Sequence, residues 1–350
     1  MAADLDRAAV AAVDSTGQLA DTLDVGTHLR DAVWRVGSAA LAPVDAPDGL
    51  IVAGMGGSGI GGALARAVLW PRLGRPFALA GDYDVPPWTG PGHLVLCASY
   101  SGNTEETLAA YAAAGERGAA RIVATSGGEL AARARGDGVA VIPLPGGFQP
   151  RAAVGYGFAV ALEVAAHARV APPLGDEIER AAGLADELAA EWGPDGPEDG
   201  DAKRLARRLH ETVPVVAGPG LAADVAYRWK CQINENSKMP AFSAAIPESG
   251  HNEIVGWADA TEYGRFAAVF LEDPDAGERS ALRIDLTAGI VEGQAAAIER
   301  VAPRGETRAE RLVSLVLLGD LVSLYLAVLR GADPIDIAPI DRLKAGLAAR

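Results

Sequence analysis

The stretch GLIVAGMGGSGIGGALARAVL, residues 49–69, indicates how the chain folds. It begins with a short apolar run, passes through a glycine-rich turn and ends in an alanine-rich segment with helical spacing. Strand, turn and helix in this order form the repeating unit of a parallel α/β sheet. The unit recurs at 92–118 and 120–136, and the apolar run 139–145 closes the series. The repetition predicts a doubly wound parallel sheet.

The same pattern restarts in the second half of the chain. Residues 212–232 again have the order strand, glycine turn and helix, and Val216–Gly220 aligns with Val52–Gly56. This alignment suggests a duplicated α/β fold. The run FAAVFLED, 266–273, is predicted to be a strand of that second half, and the chain is predicted to end in a short amphipathic helix.

Composition divides the chain into four predicted segments. The stretch WGPDGPEDGD is dense in glycine, proline and acids, which is typical of a linker. We therefore predict an N-terminal helical segment (1–45), a first α/β domain (46–191), a linker (192–201) and a second α/β domain with a C-terminal helix (202–350).

The bulk composition narrows the class of protein. Its 46 acidic and 31 basic residues give a net charge of −15, which argues against a nucleic acid partner. Cys97 and Cys231 are far apart and form no CxxC pair, and the N-terminus lacks the features of a signal peptide. We expect a cytoplasmic protein.

One run, residues 312–329, is long and apolar enough to raise the question of a membrane span. Asp320 lies near its middle, and no second run of this kind accompanies it. A charged residue at the centre of a membrane span is costly. We therefore predict a buried helix and no membrane partner.

The first glycine turn has two open interpretations. GMGGSG matches the G-x-G-x-x-G pattern through Gly54, Gly56 and Gly59, and Asp82 follows at about the distance expected of a ribose-binding acid. A nicotinamide-dependent enzyme is therefore one interpretation. The other is a tight strand-to-helix turn that binds nothing.

The second turn favours a phosphate ligand. SYSGNTEET places Ser99, Ser101 and Thr104 where the next strand meets its helix. An ordinary helix N-cap uses one hydroxyl and leaves the others spare. A phosphate at the helix N-terminus would use all three, together with Ser58 of the first turn.

These motifs resemble a known family. GMGGSGIGG followed by SYSGNTEET resembles the sugar isomerase (SIS) domain, a flavodoxin-like phosphosugar-binding module. The block NENSKMPAFSAAIPESGHNEIVGW, together with these turns, resembles the bifunctional phosphoglucose/phosphomannose isomerases, which have two tandem SIS domains. The resemblance covers about residues 45–350. It implies a homodimer that isomerises hexose 6-phosphates, glucose 6-phosphate and fructose 6-phosphate first, without a metal or cofactor.

The resemblance also implies roles for individual residues. Glu235 is the proton-transferring base and His251 opens the sugar ring. Lys344 helps either in ring opening or in stabilising the enediolate, and Arg151 helps to stabilise the anionic intermediate. Glu253 either orients the imidazole of His251 or faces solvent. The implied phosphate-binding residues are Gly57, Ser58, Ser99, Ser101 and Thr104.

The chain departs from the family pattern at two places. Gly250 stands before His251 where the family often has asparagine, and Ile337 stands where members active on both sugars have threonine. These departures leave activity on mannose 6-phosphate open. They also leave open a non-catalytic phosphosugar-binding sensor. A zinc-dependent isomerase is rejected because the five histidines are scattered and form no ligand pair.

Overall fold

A computed structural model describes residues 4–348 of the chain, with side chains to residue 347. It contains two parallel sheets, as the sequence predicts. The strands of the first sheet are β1 (Gly49–Ala53), β2 (Phe77–Ala80), β3 (His93–Ala98), β4 (Ala120–Thr125) and β5 (Ala140–Pro143). Those of the second are β6 (Val213–Pro219), β7 (Phe242–Ile246), β8 (Phe266–Leu271) and β9 (Ala297–Val301).

The strand order of the first sheet is β2-β1-β3-β4-β5, with every pair parallel. Its central strands β1 and β3 are buried along their whole length, which explains why their sequences are continuous apolar runs. The direction of chain progression reverses between β1 and β3. Open α/β sheets bind their ligands in the crevice at such a switch point.

The second sheet has the order β7-β6-β8-β9 and is also parallel throughout. Numbered within its own half, this order is 2-1-3-4, the order of the first four strands of the first sheet. The duplication suggested by one aligned glycine turn is therefore confirmed at the level of topology. The strand predicted at 266–273 is β8.

Helices connect these strands. Those up to the end of the first half are α1 (Arg7–Ala11), α2 (Gln18–Leu23), α3 (Val25–Ser38), α4 (Gly56–Leu69), α5 (Glu105–Glu116), α6 (Gly128–Gly136), α7 (Val154–His167) and α8 (Gly175–Trp192). The others are α9 (Asp201–Leu209), α10 (Leu221–Ser237), α11 (Ala260–Tyr263), α12 (Glu278–Val291), α13 (Arg308–Arg330) and α14 (Ala338–Ala348). Short 3-10 helices cover Trp70–Arg72, Glu248–His251, Glu253–Trp257 and Pro274–Ala276.

The chain divides into two compact units, each built around one sheet. Of the described residues, 23–187 and 304–314 form the first-sheet unit, and 4–22, 188–303 and 315–348 form the second-sheet unit. The glycine- and proline-rich residues 193–200 connect α8 to α9. The role of 192–201 as a linker, with the domain boundaries drawn from it, stays a prediction.

Helix α13 corresponds to the long apolar run. Among the described residues it is the one helix long and apolar enough to cross a membrane, and 89 % of its most apolar window is buried within the protein. Asp320 on this helix forms an ion pair with Arg228 of α10, with 2.6 Å between Nη2 and Oδ2. The buried-helix interpretation explains both observations.

Candidate functional site

The glycine-rich turn after β1 is shaped by close backbone contacts. Gly56 begins α4 with φ +51°, which favours glycine. A Cβ atom on Gly54 would lie 2.7 Å from the Ala98 carbonyl oxygen at the end of β3. One on Gly57 would lie 2.5 Å from the Pro150 carbonyl oxygen. Glycine at these positions lets the turn lie directly against β3 and against the segment before α7.

Two hydroxyl-bearing turns meet at the switch point of the first sheet. The backbone N–H of Tyr100, after β3, donates a hydrogen bond to Ser58 Oγ, after β1, at 3.0 Å. Ser99 Oγ and Thr104 Oγ1 are 2.9 Å apart, and Gly102 N–H donates to Ser99 Oγ. Ser101 is exposed, and its Oγ accepts from Asn103 N–H at 3.3 Å. We call Gly57, Ser58, Ser99, Ser101 and Thr104 the two-turn cluster.

Both helices that start at this cluster lack a side-chain cap. Thr104 occupies the N-cap position of α5, yet its hydroxyl pairs with Ser99 instead of bonding to the helix. Met55 precedes α4 and has no capping group. The first N–H groups of a helix have no partner within the helix, and they attract anions. An N-cap role for Thr104 therefore does not explain the hydroxyls, and an anion ligand at the two-turn cluster would do so.

Arg151 supplies a cation in the same unit. Its side chain is 4 % exposed, and a turn closed by the Ala152 N–H to Gln149 carbonyl bond holds it just before α7. Its backbone N lies 3.0 Å from where a Cβ atom on Gly57 would be. A buried guanidinium can stabilise negative charge, which is the role that the family resemblance implies for Arg151.

A small cavity of about 20 Å³ lies beneath the two-turn cluster. It has room for about one water molecule and is therefore too small for a sugar. The lining residues are Val52, Gly57, Ser58, Leu96, Ala98, Tyr100, Ala124, Leu144, Pro150, Ala153, Gly157 and Val160.

Two further residues shape the cluster without having been predicted. Ser126, at the end of β4, donates from Oγ to the Tyr100 carbonyl oxygen at 2.7 Å. Asn103 Oδ1 accepts from Glu129 N–H, the first turn of α6, at 3.0 Å. The sequence signal for Ser126 is the stretch TSGGE at the third strand-to-helix junction, and Asn103 lies within SYSGNTEET.

The remaining predicted residues lie in the second-sheet unit. Glu235 is half-buried in the last turn of α10, and the neighbouring Asn234 Oδ1 accepts from Ala241 N–H at 2.9 Å as the chain turns into β7. His251 ends the 3-10 helix after β7 and is exposed. Lys344 is exposed on α14.

The loop around His251 is organised by its own side chains. Asn252 Nδ2 donates to Glu248 Oε1 at 3.2 Å, and Glu253 N–H donates to Asn252 Oδ1 at 2.5 Å. Glu253 is exposed, and within the described part of the chain its carboxylate makes no hydrogen bond to the His251 ring. Trp257 packs against the core of the second sheet, where its ring meets Phe266 edge-on at 6.3 Å. Trp257 therefore anchors the loop.

The glycine turn after β6 is the second unit's equivalent of the turn after β1, and a carboxylate accepts a hydrogen bond from its helix start. Gly220, with φ +53°, precedes α10 as Gly56 begins α4. Here Leu221 N–H donates to Asp273 Oδ2 at 2.9 Å, so a buried carboxylate from the end of β8 occupies the helix start. An anion at this helix start would be repelled by that carboxylate, whereas the start of α4 has no side-chain cap.

No cluster of three or more His, Cys, Asp or Glu side chains suited to a metal occurs within residues 4–348. The structure thus groups Arg151 with the two-turn cluster in the first-sheet unit. Glu235, His251 and Lys344 belong to the second-sheet unit.

Comparison with known proteins gives concordant matches. Residues 198–347 match the model of the bacterial phospho-glucose isomerase C-terminal SIS domain. The chain is 40 % identical over 304 residues to a bifunctional phosphoglucose/phosphomannose isomerase of Caldicellulosiruptor bescii, covering 86 % of this chain and 90 % of the relative. The enzyme of the same description from Aquifex aeolicus is 36 % identical over 300 residues, covering 85 % and 90 %.

The fold is similar to that of solved structures. A hypothetical protein from Thermus thermophilus superposes with a TM-score of 0.76 at 16 % identity, covering 98 % of this chain and 93 % of that one. At this identity the likeness concerns the fold alone.

Proposed function

The chain belongs to the family of bifunctional phosphoglucose/phosphomannose isomerases, and we propose that it interconverts the aldose and ketose forms of hexose 6-phosphates. The proposed substrates are glucose 6-phosphate and fructose 6-phosphate, with mannose 6-phosphate as a further one. Family membership favours this interpretation of the first glycine turn over the nicotinamide interpretation.

The main structural support for the proposal is the arrangement of the two-turn cluster. Its turns follow β1 and β3, the strands at the switch point, and the bond from Tyr100 N–H to Ser58 Oγ joins them. Two uncapped helix starts suit a phosphate dianion. Anchoring the phosphate holds the sugar for reaction, which removes part of the entropic barrier.

The isomerisation moves one proton between neighbouring carbons. We assign ring opening to His251, which passes a proton between the ring oxygen and the anomeric hydroxyl. Glu235 then takes the proton from C2, and the electron pair moves to the C1 carbonyl oxygen, which gives an enediolate. Transfer of the O2 proton to O1 and return of the first proton from Glu235 to C1 give the ketose. Arg151 and Lys344 stabilise negative charge on the enediol oxygens. These steps require no redox cofactor or metal.

Assembly and location are part of the same proposal. We take the protein to be a cytoplasmic homodimer that has no nucleic acid or membrane partner. The family resemblance supports the dimer, and the net charge of −15 argues against a polyanionic partner. Size-exclusion chromatography with light scattering tests the oligomeric state.

Replacing Glu235 with glutamine tests the proposed chemistry. The amide cannot accept the C2 proton, so we expect kcat with fructose 6-phosphate to fall about 10²- to 10⁴-fold. Substrate affinity should stay nearly unchanged, because the phosphate is bound elsewhere. A coupled assay with each aldose phosphate measures the turnover, and calorimetry measures the binding. Glu262→Gln, an exposed carboxylate on α11 in the same unit, is the matched control and should retain full activity.

Unchanged turnover in Glu235→Gln would refute the assignment. Binding of fructose 6-phosphate by the wild type without turnover of either aldose would favour the sensor alternative. Ile337 leads us to expect lower kcat/KM with mannose 6-phosphate than with glucose 6-phosphate, since an alkyl group stands where threonine is expected.

A further inference from the structure

Lys238 ends helix α10 in an unusual conformation. Its φ of +54° and ψ of 31° are left-handed, and it is the C-cap of α10. Glycine is the usual residue in this conformation at a helix end, and another residue there costs about 1–2 kcal/mol. The NENSK stretch nevertheless has lysine at this position. Its side chain makes contacts that a glycine could not make.

The Lys238 ammonium is bonded to backbone carbonyls from two parts of the unit. Nζ donates to the Glu235 carbonyl oxygen at 2.6 Å and to the Asn236 carbonyl oxygen at 3.4 Å. These oxygens belong to the last turn of α10, where carbonyls lack partners within the helix. The third acceptor is the Pro334 carbonyl oxygen at 3.1 Å. The ammonium thus connects the last turn of α10 to Pro334.

The bond to Pro334 also reaches the segment that leads to a proposed site residue. Pro334 lies on the segment between α13 and α14, and α14 carries Lys344. The other end of the contact is the carbonyl of Glu235 itself. One side chain therefore connects the backbone of the proposed base to the segment leading to the proposed C-terminal cation.

We infer that Lys238 is a positioning residue, which holds the end of α10 and the segment 331–337 in the relation that isomerisation requires. The inference rests on the proposed function. A positioning role differs from a purely structural helix cap in one respect. Glycine can adopt the left-handed conformation of a cap, but it cannot connect the two segments.

Replacing Lys238 with glycine separates these roles. Glycine accepts the left-handed backbone without strain but removes the ammonium, so Tm should stay close to that of the wild type. We expect kcat with fructose 6-phosphate to fall about 10- to 100-fold, because small misplacements of reacting groups have effects of this size. KM should change less, since the two-turn cluster is untouched. Amide hydrogen exchange in peptides covering 331–343 should become faster.

Two further variants complete the experiment. Lys238→Asn also tolerates the left-handed backbone and is too short to reach Pro334, so it should behave like the glycine variant. Glu211→Gly is the matched control. Glu211 has φ +60° in the same unit and is exposed, so glycine relieves the same strain without touching the proposed site. Its kcat should equal that of the wild type.

Other outcomes would overturn the inference. Wild-type kcat in a folded Lys238→Gly variant would show that the lysine is only a cap. Unfolding of both Lys238 variants at 25 °C would show that its role is stability. If the wild type has no isomerase activity, the proposed function fails. The link from Lys238 to segment 331–337 is then tested by hydrogen exchange alone, and equal exchange rates in 331–343 of the wild type and Lys238→Gly would refute it.

Discussion

At the scale of single residues, His28 is the clearest case of an unusual environment. It lies on the buried face of α3, and neither ring nitrogen has a hydrogen-bond partner among residues 4–348. Its ring stacks on Tyr156 with centroids 4.9 Å apart and meets Phe148 edge-on at 4.8 Å. Burial lowers the pKa of His28, against the opposing effect of the Asp24 and Asp31 carboxylates. The folded protein therefore favours the neutral imidazole.

This environment makes stability depend on pH. In the unfolded chain the histidine takes up a proton near pH 6.5, whereas the folded protein resists protonation. The contribution of His28 is therefore complete above about pH 6.5 and is lost as pH falls towards the lowered pKa. The slope is at most about 1.4 kcal/mol per pH unit for one group. We expect His28→Leu to reduce the loss of Tm between pH 7.5 and pH 5.5.

Leu29→Met is the control for packing. Leu29 is buried on the same helix and has no titratable group, so its replacement should change Tm equally at both pH values. A pH dependence in His28→Leu as steep as that of the wild type would contradict the prediction.

At the scale of elements, α10 has a buried polar face. Arg228, Gln232 and Asn236 are spaced four residues apart and are all buried. Arg228 makes two bonds to Asp320 of α13, Nε to Oδ1 at 3.0 Å and Nη2 to Oδ2 at 2.6 Å. Asn236 Nδ2 donates to Ser323 Oγ of α13 at 2.8 Å. These bonds connect the buried polar face of α10 to α13.

The buried ion pair should be costly to break from one side. Asp320→Asn leaves the Arg228 charge buried without its counterion, and we expect a loss of about 3–5 kcal/mol in the free energy of unfolding. The double variant Arg228→Met/Asp320→Leu should lose much less, because it leaves no buried charge. Urea denaturation of the single and double variants measures the difference.

An exposed pair in the same unit provides the comparison. Arg300 Nη1 lies 2.6 Å from Asp285 Oδ1, and the two side chains are 44 % and 54 % exposed. Asp285→Asn should cost less than about 1 kcal/mol. Equal losses in Asp320→Asn and Asp285→Asn would show that burial of the first pair has no energetic effect.

At the scale of the whole molecule, two similar halves have become chemically different. Both sheets place a glycine turn and a helix after their first strand. In the first half that helix start is uncapped and lies beside hydroxyls and Arg151, whereas in the second half Asp273 occupies it. Repetition of the fold therefore does not imply repetition of the ligand.

This difference predicts one hexose phosphate per chain. Titration of the wild type with fructose 6-phosphate in a calorimeter should give a stoichiometry of one. Ser58→Asp brings a carboxylate to the first helix start, as Asp273 does in the second half, and should abolish binding through charge repulsion and loss of the anion position.

Ser58→Asn is the uncharged control of similar size. It should weaken binding less than Ser58→Asp, and circular dichroism should show that both variants fold. A stoichiometry of two in the wild type would mean that Asp273 does not exclude a second ligand.

Much of this protein follows from local sequence pattern. The apolar runs of β1, β3, β4 and β8 are buried strands, so their composition alone identifies them, and the glycine turns mark where their helices begin. The motifs GMGGSG, SYSGNTEET and NENSK indicate the family and the candidate site residues. These features are readable because each depends on residues close together in the chain.

The tertiary structure decided what depends on distant residues. Glu299 of β9 is buried because Arg204 and Arg208 of α9 neutralise it, an arrangement that conceals β9 from a hydrophobicity pattern. Three other bonds likewise join distant segments: Tyr100 to Ser58, Leu221 of α10 to Asp273, and Lys238 to Pro334. Strand order and helix rotation bring such partners together. Both are determined by the packing of the whole sheet and its helices, and the spacing of residues along the chain does not encode that packing.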